Sequence, residues 1–394
     1  MSSSSGRSTL FTGRFVELAG AGFAAERLGQ DFVRVSAGAD EVAELLTWPD
    51  LNELLSTHQL GAPRLRLFRD GSQVPVVNYT HTDPESDRQS LVPDALYREL
   101  RDGASLVLDS IDKLHRPIAA AADDLMRLVR ELVQVNLYLV WGPGQGFDTH
   151  WDDHDTVIVQ LAGSKHWTVH GPGRPYPMKI DNDHSHRPPD TEVWQGELRA
   201  GDMIHVPRGW WHTVRGSDAM SMHLTFGFTR RTGIDWANWL VEQLYAEELF
   251  RADLPRFGSA GRVRQHTDQL LEALTKIIQA HPPDDFLAAR DRRFPRRPEI
   301  NLPWPVSFAM PADSTRVELT ALLGPDLRVD GNAVLVTMAG KTFRLAVVLA
   351  PMLELLSAER SVTVARLRTE AGLSEATLAA ALELLVQQHL AVLR

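Results

Sequence analysis

Apolar and polar positions alternate differently in successive parts of the chain, and each change of period predicts a different kind of element. Up to about residue 130, short apolar runs such as RLRLF (Arg64–Phe68) stand beside stretches with apolar residues at helical spacing, such as DDLMRLVREL (Asp123–Leu132). That mixture predicts an α+β lead-in. From Val133 to about Phe228 the runs VQVNLYLVW, TVIVQLAG, HWTVHGP, MIHVPRG and MHLTFGF are separated by Gly, Pro and Asp, which predicts the short strands of a sandwich or barrel. Helical periodicity returns in Asp235–Phe250 and Gln265–Ala280, bounded by Pro282-Pro283. The Pro/Arg-rich piece Arg290–Pro305 reads as an extended linker, because proline fixes φ and removes a backbone donor. Beyond it, strands around Asp330-Gly331 predict a hairpin. The stretches VLAPMLELL, TVARLRTEAG, closed by Gly372, and SEATLAAALELLVQQ, opened by Ser374, predict helices, and HLAVLR a final strand. This order predicts a winged-helix-like domain. The expected organisation is α+β with boundaries at 1–230, 231–300 and 301–394.

Composition narrows the chemistry. At 394 residues the chain has room for about two or three domains. A formal charge of −10 argues against a general nucleic-acid surface while leaving room for a local basic patch. With no cysteine, disulfides, thiolate metal sites and cysteine nucleophiles are excluded, so any metal must be held by nitrogen and oxygen. The first residues, MSSSSGRSTL, lack the apolar core of a signal peptide, and no apolar run reaches membrane-spanning length. The expectation is a cytoplasmic protein with no membrane partner.

The stretch FDTHWDDHDTVIVQLAGSKHW (Phe147–Trp167) carries the first candidate chemistry. Aspartate is a poor strand former, so a strand beginning His150-Trp151-Asp152 bears a local cost that a bound cation would offset. Residues two apart on a strand share a face, so His150 and Asp152 can offer an imidazole and a carboxylate to one point. A third ligand is available in GDMIHVPRGWWHTV (Gly201–Val214), where Gly209 and Pro207 shape a turn that delivers His212. Two histidines and one carboxylate leave one side of a metal open, as in non-haem iron sites.

Taken together, Asn136 and Tyr138, His150 and Asp152, Gln160, Gly163, Lys165 and Trp167, and Gly201-Asp202 through His212 resemble the JmjC oxygenases. The likeness is closest to their ribosomal-oxygenase branch. The resemblance implies a double-stranded β-helix (the cupin/JmjC jelly roll), followed by a helical dimerisation domain and the winged helix. It implies Fe(II) on His150, Asp152 and His212, with 2-oxoglutarate and O2 as co-substrates. Lys165 would hold the distal carboxylate of 2-oxoglutarate, a pairing that a water-poor barrel strengthens. Asn136, Tyr138, His223 and Thr225 fall where the family places further co-substrate contacts. The implied reaction is hydroxylation of a side chain in a protein or peptide, either a ribosomal protein or a natural-product precursor, by a homodimer. Lysine demethylation and a non-catalytic cupin-like binding module are the alternatives.

Other features read more plainly. His154 shares the parity of the ligands and fits either a supporting group or a strand-edge surface residue. His184 and His186 stand at a ligand spacing, but their prolines and acids read as a loop near the entrance rather than a second metal site. Trp194, Trp210 and Trp211 fit the substrate mouth or the core. RDRRFPRR could touch ribosomal RNA or an acidic peptide, and reads more simply as a solvated linker. Trp236, Trp239, Leu240 and Leu244 form an apolar stripe suited to dimerisation. Ser374–Gln388 contains no Lys or Arg, so DNA binding is not expected.

Overall fold

The computed structural model describes residues 8–143, 147–181, 187–295, 299–359 and 361–394. The chain divides into two compact units, Met1–Arg230 and Arg231–Arg394. Among the described residues no helix is long and apolar enough to cross a membrane.

The first unit is built on a sheet whose strands are β1 (Val33–Ser36), β2 (Leu65–Arg69), β3 (Ser72–Gln73), β4 (Ser105–Leu108), β5 (Val133–Trp141), β6 (Asp155–Pro172), β7 (Trp194–Arg199), β8 (Asp202–Val206) and β9 (Trp210–Phe228). Their order is β1-β8-β6-β9-β5-β4-β2-β3, with β7 joined to β6. Strands β6 and β9 run antiparallel along their whole length, from Trp210 opposite Pro172 to Phe228 opposite Asp155. The first half of β6 pairs with β8 and its second half with β7, so one long strand serves two sets of neighbours. The change occurs at an irregularity between Gly216 and Ser221, opposite Gly163. Gly163 has φ +63, and a Cβ there would collide with the Met220 carbonyl, so only glycine fits this crossing. Such a sheet rolls around an interior instead of lying flat.

Alternation along β5 explains how the roll is anchored. Val133, Val135, Leu137 and Leu139 are buried, and the helix Arg116–Val129 packs against the strand with Ile118, Ala121, Ala122 and Leu125 also buried. Each such aliphatic side chain contributes roughly 1.5–3 kcal/mol by leaving water, which holds β5 while its other face stays free for polar work. Gln134, Asn136 and Tyr138 occupy that other face. The regular strand, however, begins at Asp155 and not at His150. Trp151–His154 are irregular because their polar groups find partners in the neighbouring turn: Gly209 N–H donates to the Asp152 carbonyl at 2.9 Å and Arg208 N–H to the Asp155 carboxylate at 3.2 Å.

The second unit starts with the helix Gly233–Leu244, whose N-terminus is closed by a reciprocal cap between Thr232 and Asp235. The continuous helix expected to Phe250 breaks after Leu244, and a short turn of helix covers Glu248–Arg251. Helices Ala260–Ala280 and Pro283–Arg292 follow, so the expected linker is helical in its first residues. Beyond these stand the hairpin strands Asp326–Asp330 and Ala333–Met338, extended by Lys341–Ala346. A small sheet places Arg316–Leu319 between Val362–Thr363 and Ala391–Leu393. Helices Ala350–Ala358, Val364–Glu370 and Glu375–Gln387 bury Leu353, Leu367 and Leu382 in one core, and Ser374 caps the last of them by accepting from Thr377 N–H at 3.2 Å. His184, His186, Arg296 and Arg297 lie outside the described residues.

Candidate metal centre

His150 reaches the sheet through a single bridge to His212 on β9, with His212 N–H donating to the His150 carbonyl at 2.8 Å and the reverse bond at 3.2 Å. This bridge replaces the expected strand as the device that sets the two imidazoles side by side, ring centroids 4.5 Å apart. Asp152 then comes within 3.9 Å of His150 Nε2 and 3.7 Å of His212 Nε2. Among the described residues these three form the group able to hold a metal ion, each offering a ligand atom within 4.8 Å of the others. The turn before His212 depends on Gly209, at φ +79, where a side chain would run into Pro177.

Backbone carbonyls fix the tautomers. His150 Nδ1 lies 2.6 Å from the Asp148 carbonyl and His212 Nδ1 3.0 Å from the Trp210 carbonyl. A carbonyl can only accept, so each Nδ1 carries a proton and Nε2 is the nitrogen left to face a metal. Burial, with the neighbouring His150 second, pushes the His212 pKa down to about 4, which keeps it a neutral ligand at physiological pH. Trp167 stacks on the His212 ring at 5.7 Å and 26°, restricting its rotation.

The three ligands sit on a cavity of about 310 Å³ that Tyr138, Lys165, Trp167, His223 and Thr225 also line. Burial pushes the Lys165 pKa down to about 8, and the ammonium has no ion-pair partner among the described residues. His223 is held well below its ordinary pKa, first by burial and then by Lys165. Its Nδ1 and the Trp167 Nε1 are buried without a hydrogen-bond partner. Tyr138 stacks on His223 at 4.9 Å with the rings 5° from parallel, and burial above all raises its pKa to about 12. The cavity is therefore lined by a lysine with no ion-pair partner among the described residues, which is complementary to a small anionic molecule.

The remaining expected site residues fall elsewhere. Asn136 does not line the cavity; its side-chain oxygen accepts from Ser110 N–H at 3.0 Å and from Gln134 at 3.2 Å. His154 bonds Asp153 at 3.0 Å and lies against Gly227 outside the cavity. Trp194 and Trp210 pack on the cluster of Ile158, Trp167, Leu198 and Ile204, which favours core over mouth. Sequence reasoning missed Ser105, Leu139 and Phe147 in the lining. Ser105 stands on a four-residue strand with no alternation to announce it. Phe147, only three residues before His150, could have been found by proximity.

A family model for the JmjC domain matches residues 113–235. Among curated relatives, the bifunctional lysine-specific demethylase and histidyl-hydroxylase NO66 of Brugia malayi is 30% identical over 147 residues, 35% of this chain and 20% of that protein. Ribosomal oxygenase 1 of Gallus gallus is 28% identical over 159 residues, 39% of this chain and 26% of its own length. The chain thus spans about a fifth to a quarter of these two relatives. Among solved structures, the Escherichia coli ribosomal oxygenase YcfD superposes with a TM-score of 0.56 at 18% identity, covering 95% of this chain and 98% of that one. A structure of YcfD with cobalt and 2-oxoglutarate matches at 0.55 and 17%, with the same coverage. Every candidate ligand and cavity residue expected from the sequence lies inside the region that the JmjC family model matches, and the chain shares the fold of the Escherichia coli structure.

Proposed function

We propose that the protein is an Fe(II)- and 2-oxoglutarate-dependent oxygenase that hydroxylates a side chain of a protein or peptide. The observation that carries this is the pairing, in one cavity, of two imidazoles and a carboxylate with a lysine that has no ion-pair partner among the described residues. The donor set fits a divalent first-row metal with open positions. The unpartnered Lys165 ammonium, His223 Nδ1 and Trp167 N–H fit a small diacid. When bound, iron with 2-oxoglutarate and O2 supplies oxidative decarboxylation to succinate and CO2, and the second oxygen atom enters a substrate C–H bond.

The protein's part is to hold and exclude. His150, Asp152 and His212 would be the metal ligands, their Nδ1–H bonds to Asp148 and Trp210 keeping each Nε2 aimed inward. Lys165 would pair with the distal carboxylate, with Tyr138, His223 and Thr225 around it. Asn136 would act from outside the lining. The wall of buried Trp167 and Ile158, with half-buried Val214, keeps bulk water from the reacting atoms. A non-catalytic binding module has no use for three ligands together with an unpaired lysine. The names of the relatives include both histidyl hydroxylation and lysine demethylation, and ribosomal protein is the first substrate class to test.

Two further parts belong to this proposal. Residues 301–394 would form a winged helix that does not read DNA, and 231–300 a helical dimerisation region, in a cytoplasmic enzyme. The helix Ala260–Ala280 supports the second: none of its residues is buried, yet Val263, Leu270, Leu274 and Ile277, flanked by Leu271 and Ile278, follow a heptad-like seam. The stripe expected to dimerise is instead used within the unit, where Leu240 is buried and Trp239 packs on Phe286 at 5.8 Å.

The test is iron-dependent conversion of 2-oxoglutarate to succinate, with mass spectrometry of ribosomal proteins and candidate peptides for the gain of one oxygen atom. Absence of metal-dependent turnover in the intact chain would remove the reading.

A further inference from the structure

Two of the three candidate ligands hang on one turn, residues 207–210. Gly209 N–H donates to the Asp152 carbonyl at 2.9 Å, and the Trp210 carbonyl, one residue on, accepts the His212 Nδ1 proton at 3.0 Å. The turn closes on itself through Trp210 N–H, which donates to the Pro207 carbonyl at 3.1 Å. A shift of this turn would therefore move a carboxylate and an imidazole together. What ties it to the start of β6 is a side chain, since Arg208 N–H donates to the Asp155 carboxylate at 3.2 Å.

Asp155 is outside the cavity lining and only 3% exposed. His205 Nε2 lies 3.8 Å from its carboxylate, and Gly29 packs so closely that a Cβ there would stand 3.2 Å from the Asp155 Oδ1. Burial raises the Asp155 pKa above the usual carboxylate value, and the charges of Arg230 and Arg208 oppose that shift. Taking a carboxylate out of water is costly, and an apolar side chain of the same size would fill the space without that cost. What the carboxylate adds is an acceptor for one backbone N–H of the turn.

From this we infer that Asp155 is a positioning residue for the metal centre: its carboxylate fixes the turn, and through the turn the placement of Asp152 and His212. The inference rests on the metal-centre part of the oxygenase reading. Asp155 acts through Arg208 N–H and Gly209 N–H, and is not itself one of the three ligands.

The test uses the full-length protein with Co(II) as the probe, and reads both affinity and the visible absorption spectrum at saturation. Asp155→Leu keeps the volume and removes the acceptor, whereas Asp155→Asn keeps an oxygen for Arg208 N–H. Asp155→Leu should weaken Co(II) binding by about tenfold and alter the visible bands, which follow the ligand angles, while Asp155→Asn should stay within about threefold and keep the parent spectrum. Asp155→Ala gives the same reading where the larger side chain prevents folding. Leu51→Ala supplies the comparison for a purely structural effect: a buried change in the helix Trp48–Thr57, outside the lining, it should lower the unfolding temperature and leave affinity and spectrum at parent values. Parent-like affinity and spectrum in Asp155→Leu and Asp155→Ala overturn the inference. So does a loss in Asp155→Asn or Leu51→Ala as large as in Asp155→Leu. A parent that binds Co(II) yet converts no 2-oxoglutarate to succinate overturns the oxygenase reading alone, and a parent that binds no Co(II) overturns both.

Discussion

A single bridge between His150 and His212 sets two imidazoles beside the Asp152 carboxylate. Residue type, spacing and a turn motif mark all three in the sequence as candidate metal ligands, whereas no local pattern announces the bridge. Asp152 is the one carboxylate in the candidate group, and Asp152→Ala should abolish iron-dependent turnover and weaken metal binding, measured by titration with Co(II). Retained activity would remove Asp152 from the site. Lys165→Ala should leave metal affinity intact but raise the 2-oxoglutarate KM by about a hundredfold, the order expected from breaking a buried charge pair worth roughly 3 kcal/mol; an unchanged KM would unseat Lys165. His205 shows what spacing does not reveal. It is fully buried, with Nδ1 donating to the Asp31 carbonyl at 3.0 Å and Nε2 3.8 Å from the Asp155 carboxylate. Burial, foremost among its causes, lowers its pKa from 6.5 to about 4. The unfolded chain therefore takes up a proton at a pH where the folded one does not. Stability is lost as pH falls from about 6.5 towards 4, by roughly 3 kcal/mol from this residue alone. His205→Gln should flatten that part of the pH dependence of thermal unfolding, and an equally steep decline in the variant would assign it elsewhere.

At the scale of elements, period and punctuation forecast the last helices well, since Ser374 and Gly372 mark ends in the sequence, whereas the Thr232 cap stands three residues before the expected periodicity. Which face each helix buries was less legible. The stripe of Trp236, Trp239 and Leu240 looked available to a partner, but Trp236 donates to the His281 carbonyl at 3.0 Å and Trp239 meets both His281 and Phe286. Apolar surface is left uncovered on the helix Ala260–Ala280, where Leu271 is 58% and Ile278 39% exposed, as well as at Ile234 and Val241 on the helix Gly233–Leu244. Leu and Ile side chains exposed at regular spacing over 21 residues are costly in water and favour a second copy of the chain. Leu274→Glu should shift the protein from dimer to monomer in sedimentation at micromolar concentration, while leaving 2-oxoglutarate turnover measurable. A parent that sediments as a monomer would end the dimer proposal. The long strands show a different limit: Gly163 was recognised as a motif residue, but its role at the crossing of β6 and β9 depends on Met220, 57 positions away, and no local period encodes that contact.

For the molecule as a whole, the charge of −10 and the apolar last helix both predict that the 301–394 region does not bind duplex DNA. From Lys341 onward the six basic residues are nearly balanced by five glutamates. The two that lie close together in sequence, Arg366 and Arg368, are already engaged. Arg366 binds Glu359 at 2.6 and 2.8 Å and Glu370 at 2.8 and 3.0 Å, and Arg368 binds Asp313 at 3.0 Å. These groups are largely exposed, so the pairs add little to stability, but they still reduce the positive charge available to phosphate. The helix Glu375–Gln387, which the proposed winged helix would use for recognition, buries Leu378, Ala381, Leu382, Leu385 and Val386. Its sequence has no lysine or arginine to neutralise a phosphate, whereas each phosphate contact in a DNA complex adds about 0.9 to the salt slope. Titration of the full-length protein with duplex DNA at low and moderate salt should therefore give no salt-sensitive complex at micromolar protein. Submicromolar binding that weakens steeply with salt would show a phosphate-contacting surface outside these residues, and would return the C-terminal region to a role in nucleic-acid recognition.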